Sequence, residues 1–234
     1  TNNFAPFGGG MFNNGISPTL TDCTFTGNAA GNGGGGMYND GGSPTLTNCT
    51  FTDNTATDGS GGGIYNNGSN PTLDGCTFTG NSATVGGGGM FNIDSNPTLD
   101  DCTFTDNTAN DGGGRYNYES SPTLTNCTFS GNNADYYGGG MSNYSSSSPT
   151  LTNCTFENNT ASNDGGGMFN DSGSSPTLTN CTFTSNSANI NSGGMHNTLN
   201  SSPTLTDCIF TNNTADSGGG MANYYSSPTL TDCI

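Results

Sequence analysis

Residues 44–66 read PTLTNCTFTDNTATDGSGGGIYN, and close copies of this stretch return along the whole chain. Its fixed parts alternate with period two, the mark of a strand with one buried face. Leu46 points inward with Thr45 and Thr47 outward. Beyond a tight corner at Asn48, Cys49 and Phe51 point inward with Thr50 and Thr52 outward. A third strand is carried by the GGG triplet and Ile64, a position that Met holds in seven other copies. Pro18, Pro44, Pro71, Pro97, Pro122, Pro149, Pro176, Pro203 and Pro228 mark the period at spacings of 25–27 residues. The intervals from Pro to Cys and from Phe to Asn never change, so length varies only in two polar turns. Fixed segments joined by variable turns are what stacked strands and loops require.

The expected fold is all-β: a right-handed parallel β-helix (β-solenoid) of about nine coils of 25–27 residues, with three short strands per coil and no caps, forming a single domain over residues 1–234. One coil offers only Leu, Cys, Phe, Ala and Met to a core, so stability must be shared between stacked neighbours. At a strand spacing of ~4.8 Å the rod would span roughly 43 Å. Two Asn columns, Asn28 to Asn213 and Asn13 to Asn223, suit amide ladders running from coil to coil.

Without this period the composition would read as disorder: 39 Gly in 234 residues, 28% hydrophobic residues and a net charge of −17. Eighteen acidic residues face a single cation, Arg115. Phosphate neutralisation therefore has no donors, which argues against nucleic acid and anionic membrane surfaces as partners. No apolar run approaches a membrane span, so direct membrane insertion is not expected.

The pairing of FxxN (Phe25 to Asn28 and seven copies) with GGGM (Gly8 to Met11 and most later copies) resembles the polymorphic outer-membrane protein repeats. It also resembles the wider pectate-lyase-like right-handed β-helix group. The likeness covers essentially the whole chain, with Gly in place of Ala at the third triplet position. It implies a surface-exposed adhesin or passenger rod on a secreted bacterial or archaeal protein, hence an extracellular or cell-surface location.

Several residues carry candidate chemistry. Asp74 and Asp100 share a column on adjacent coils with Asp101 beside them, a set of hard oxygens that suits Ca²⁺, although three solvated surface carboxylates would look the same. No other cofactor is expected. The TxT pairs Thr24/Thr26, Thr50/Thr52, Thr77/Thr79 and Thr103/Thr105 form a flat uncharged array that resembles the ice-binding face of β-solenoid antifreeze proteins. The β propensity of Thr explains the same pattern without a ligand, and Ser130, Glu157 and Ile209 interrupt it. Nine Cys fall in one inward column and read as buried free thiols acting as small apolar residues. Asn67, Asn143, Asn170 and Asn200 are sequon residues assigned to variable turns, where a secreted protein could be glycosylated. His196 reads as an exposed turn-flanking residue. Arg115 takes a Met position and either snorkels outward or marks a column open to solvent. None of these makes a catalytic set, so a non-enzymatic protein is expected, with a ligand-binding solenoid for ice or surface glycans as the alternative.

Residues 1–5, TNNFA, align with residues 211–215, TNNTA, while the repeat stops after Cys233 and Ile234. The expectation is head-to-tail pairing of copies of the chain through Thr1, Asn2 and Asn3 at one edge and Thr229, Leu230, Thr231, Cys233 and Ile234 at the other. A segment of a longer solenoid would show the same phase.

Overall fold

The computed structural model describes residues 2–234, so Thr1, one of the expected edge residues, lies outside it. Thirty-four strands pair in parallel into four sheets of eight or nine strands, and no helix occurs among the described residues. Most coils carry four strands rather than the expected three. In the coil that opened the reading they are Thr45–Thr47, Thr50–Thr52, Thr55–Ala56 and Ile64–Asn67. The four walls are named here, after their inward residue, the Leu, Phe, Ala and Met sheets. The additional strand is Thr55–Ala56, whose two residues pair with Ser82 and Ala83 of the next coil. It is too short to display an alternation that a sequence can reveal.

Corner residues adopt left-handed backbone. Asp22, Asn48, Gly75, Asp101 and Asn126 stack at the corner between the Leu and Phe sheets with φ of 49–60°. Gly27, Asp53, Gly80, Asp106 and Asn158 do the same at the next corner. Only Gly, Asn and Asp enter this region cheaply, which explains why these columns contain little else. The Gly triplets serve a different purpose. A Cβ on Gly36 would lie 2.6 Å from the Gly63 carbonyl oxygen and 2.8 Å from the Phe51 ring, so the Phe column packs directly on bare backbone.

The interior is closed by columns of identical residues. Leu46, Leu73, Leu99 and Leu124 are 0–1% exposed, as are Cys49 to Cys127 and Phe51 to Phe129 beside them. The Phe rings stack at 4.6–4.9 Å with their planes within 5°. All nine cysteines are free thiols, and only Cys23 and Cys233 are partly exposed. Both Asn columns form the expected ladders. Asn54 Nδ2 donates to Phe25 O (2.9 Å) and to Asn81 Oδ1 (3.0 Å), and the same oxygen accepts from Asn54 N (3.1 Å). In the other column Asn39, Asn66 and Asn92 each donate to the next residue at 2.8–2.9 Å. These buried amides carry no stranded polar groups, which is the condition for polar columns inside a core.

Arg115 departs from expectation. It neither snorkels nor faces an open column; it is fully buried, in register between Met90 and Met141. Backbone pairing fixes the direction of its side chain, because turning it outward would require a register slip that flips its neighbours as well. Its Nε donates to Asn117 Oδ1 (3.1 Å). Nη1 has no partner, and burial pushes the guanidinium down to about 10.

Candidate functional site

The residue after the inward Met points outward, and along the Met sheet these residues are Phe12, Tyr38, Tyr65, Phe91 and Tyr116. Their rings form a second aromatic column on the outside of the rod, with neighbouring centroids 4.7–5.5 Å apart. Ser142 then breaks the column, and the sequence continues Phe169, His196, Ala222. Tyr144, two residues along the same strand, stacks on Tyr116 at 5.1 Å and bridges the break.

Beyond the break the wall opens into a cleft of about 670 Å³. Phe169 lines it, packed against Tyr137 (centroids 4.7 Å) and Tyr144 (5.5 Å). His196 stands beside it, edge-on to Phe169 and 6% exposed, so it is a buried member of the outer column and not an exposed turn residue. His196 Nδ1 lies 3.6 Å from Asp164 Oδ2. Burial pushes the Asp164 carboxyl up, but the contact with His196 and the bonds from Asn191 N and Nδ2 (both 2.9 Å) outweigh it and leave the carboxyl below its ordinary value. Burial, helped by the charge of Asp111, pushes the Tyr144 phenol far up, so it stays a neutral hydroxyl.

The structure brings some predicted groups together and separates others. Asp74, Asp100 and Asp101 do converge, each offering one oxygen within 4.8 Å of the others, and all three are exposed. They could supply three oxygens to a hard cation, which takes six to eight, leaving the rest to water. The TxT residues Thr24, Thr26, Thr50, Thr52, Thr77, Thr79, Thr103 and Thr105 are in register on the Phe sheet. A longer Thr column, unbroken from Thr19 to Thr229, runs on the neighbouring Leu sheet, where it is the more exposed of the two.

Two of the sequon assignments fail. Asn143 and Asn170 are fully buried, with Asn143 Nδ2 donating to Asn170 Oδ1 (2.8 Å), because they are rungs of the inner ladder. Asn67 is half-buried and donates to Asp40 Oδ1, and Asn200 is exposed. At the rod's ends, Asn3 Nδ2 donates to Asn28 Oδ1 and so extends the ladder, and Asn2 N donates to Thr26 O. Thr229–Thr231 pairs on one side only, with Thr204–Thr206, leaving Leu230 and Ile234 exposed and Cys233 half-buried.

Sequence reasoning missed the outer rings and the cleft. The rings had a signal, an aromatic residue after GGGM or GGGI in most copies. The cleft had none, because Asp164, Asn191 and Ser217 come from the turn of variable length, where columns cannot be counted.

No curated protein matches the chain. Among solved structures it is similar to full-length QnrB1, a plasmid-mediated fluoroquinolone resistance protein, at 13% identity and a TM-score of 0.23 over 91% of this chain and 92% of that one. The family described as "Right handed beta helix region" matches residues 7–156 and 83–215, which together take in nearly every coil, and the chain belongs to that family.

Proposed function

We propose that the chain is a non-enzymatic structural solenoid of the cell surface or extracellular space, acting as a stiff rod. The observation that supports this reading best is the column-by-column identity of the interior: Leu, Cys, Phe, Met and Asn repeat through successive coils and form one continuous packed core along the rod. Stacked coils of this kind share stability with their neighbours, so length is added without a new core. Uncharged Thr, Ser and Asn on the outer faces, together with a net charge of −17, keep such rods soluble and apart sideways.

On this reading the exposed ladder residues Leu230 and Ile234 are surfaces on which further coils stack, whether from a longer chain or from a second copy. The hydrogen-bond phase says which groups would pair. Asp22 N donates to Thr47 O and Asp207 N to Thr231 O of the following coils, so Asp232 N is a free donor at this edge. Leu230→Asp places a charge in the exposed ladder and leaves these bonds intact. Electron microscopy and sedimentation of the 234-residue chain should show particles that grow in length with concentration, and the variant should stay single. Growth unchanged in Leu230→Asp, or no growth in either, would sink the end-stacking mechanism.

A further inference from the structure

The outer columns change character around the cleft. By register, the column holding Tyr118 and Tyr144 continues as Asp171, Thr198 and Tyr224, beside Phe169, His196 and Ala222. Rings stand at Tyr144 and Tyr224 with shorter side chains between them, and the gap is the cleft. Its charged groups are the carboxylates of Asp164 and Asp171. His196 Nδ1 faces Asp164 Oδ2 at 3.6 Å, so Asp164 already has a neighbour of its own in the wall. Asp171 Oδ1 accepts only from Ser172 N (2.7 Å), and no cation faces it. The one Arg of the chain is sealed in the core.

We propose that this cleft binds an organic cation, an ammonium or quaternary ammonium group carried on a small aliphatic body. Aromatic rings attract such a group through the negative part of their quadrupole, and Tyr137, Tyr144, Phe169 and Tyr224 line the cleft. The Asp171 carboxylate adds direct charge complementarity. The field of a chain with net charge −17 concentrates cations at this wall and repels anions. A volume of about 670 Å³ is within the range of small-molecule sites. A neutral ligand of the same shape gains the ring contacts but nothing from Asp171, so charge is the discriminating property. This site is independent of the rod's structural role, and either can fail alone.

The test is a calorimetric and NMR titration of the 234-residue chain with choline and with its neutral isostere, in which carbon replaces the quaternary nitrogen. Choline should bind saturably, at least about tenfold more tightly than the isostere, and more weakly as salt is added. Asp171→Asn and Tyr224→Ala should each weaken choline about three- to tenfold. Tyr224 is exposed and Asp171 half-buried in a position where Asn keeps the acceptor oxygen, so both variants keep the fold, and Asp22→Asn at a distant corner should change nothing. Equal binding of the isostere would overturn the assignment to a cation. Absence of saturable choline binding, or binding that ignores both cleft substitutions, would overturn the site.

Discussion

Inside the rod, eight Phe from Phe25 to Phe210 stack within 5° of parallel and none is replaced; outside, the column on the Met sheet begins with rings and then admits Ser142, His196 and Ala222. Both columns have the same coil-to-coil spacing and both stack aromatic faces. They differ in what lies on the other side of each ring. An inner ring meets bare Gly backbone, as Phe104 does with Gly89 at 2.8 Å from a would-be Cβ, and no other side chain fits that space. An outer ring such as Tyr65 has solvent along one edge and can be exchanged without leaving a void. Uniformity is therefore imposed where the fold is held together. Variation collects on one outer wall, and the cleft lies on that wall.

The widest gap between the columns should appear when one ring is removed from each. Phe104→Ala empties a fully buried site and should cost about 3–5 kcal/mol, whereas Tyr65→Ala loses mainly ring stacking, about 1 kcal/mol. Urea unfolding of the two variants side by side measures this. Because coils share stability only with neighbours, the Phe104 variant should also unfold in more than one step. Equal losses would show that the outer column carries as much of the fold as the inner one.

The inner columns were legible in the sequence because Pro-to-Cys and Phe-to-Asn intervals never change, so register could be counted without coordinates. Legibility failed where that counting failed. Thr55–Ala56 is too short to alternate, and Asp164 and Asn191 lie in a turn whose length drifts from coil to coil. It failed differently at Asn143 and Asn170, where a local sequon pattern competed with a column and the column decided burial. At Arg115 side-chain chemistry argued for exposure, but pairing with Met90 and Met141 holds the position inward. In each conflict of local chemistry with register, register prevailed, since a slip of one residue would turn a whole strand inside out.

Arg115 is thus the one charged residue in an inner column otherwise made of Met and Ile64, and restoring an apolar side chain should help. A buried charge without a carboxylate partner is destabilising, and replacement by a well-packed apolar residue removes that cost. Arg115→Met matches the neighbouring coils and should stabilise the chain by about 1–4 kcal/mol in urea unfolding. A loss of stability would mean that the bond to Asn117 outweighs the desolvation of the guanidinium.

The smallest expected effect concerns the outer side again. Asp111 belongs to the turn column that continues through Tyr137, Asp164 and Asn191 beside the outer rings. Burial pushes its carboxyl up to about 6 from 3.8, only partly offset by the bond from Tyr137 N (3.2 Å). A carboxyl whose folded pKa is raised favours the folded state when protonated. Its contribution is therefore complete below about 3.8 and is lost as pH rises through about 6. Asp164 runs the other way at lower pH, since its carboxyl is held below the ordinary value and its contribution disappears on acidification. Comparing the chain with Asp111→Asn isolates the first group: the variant should gain relative stability as pH rises from about 4 to 6 and hold a constant advantage at neutral pH. A difference that does not change with pH would place Asp111 in a solvated turn, and the outer wall would then be as open at Asp111 as it is at Tyr224.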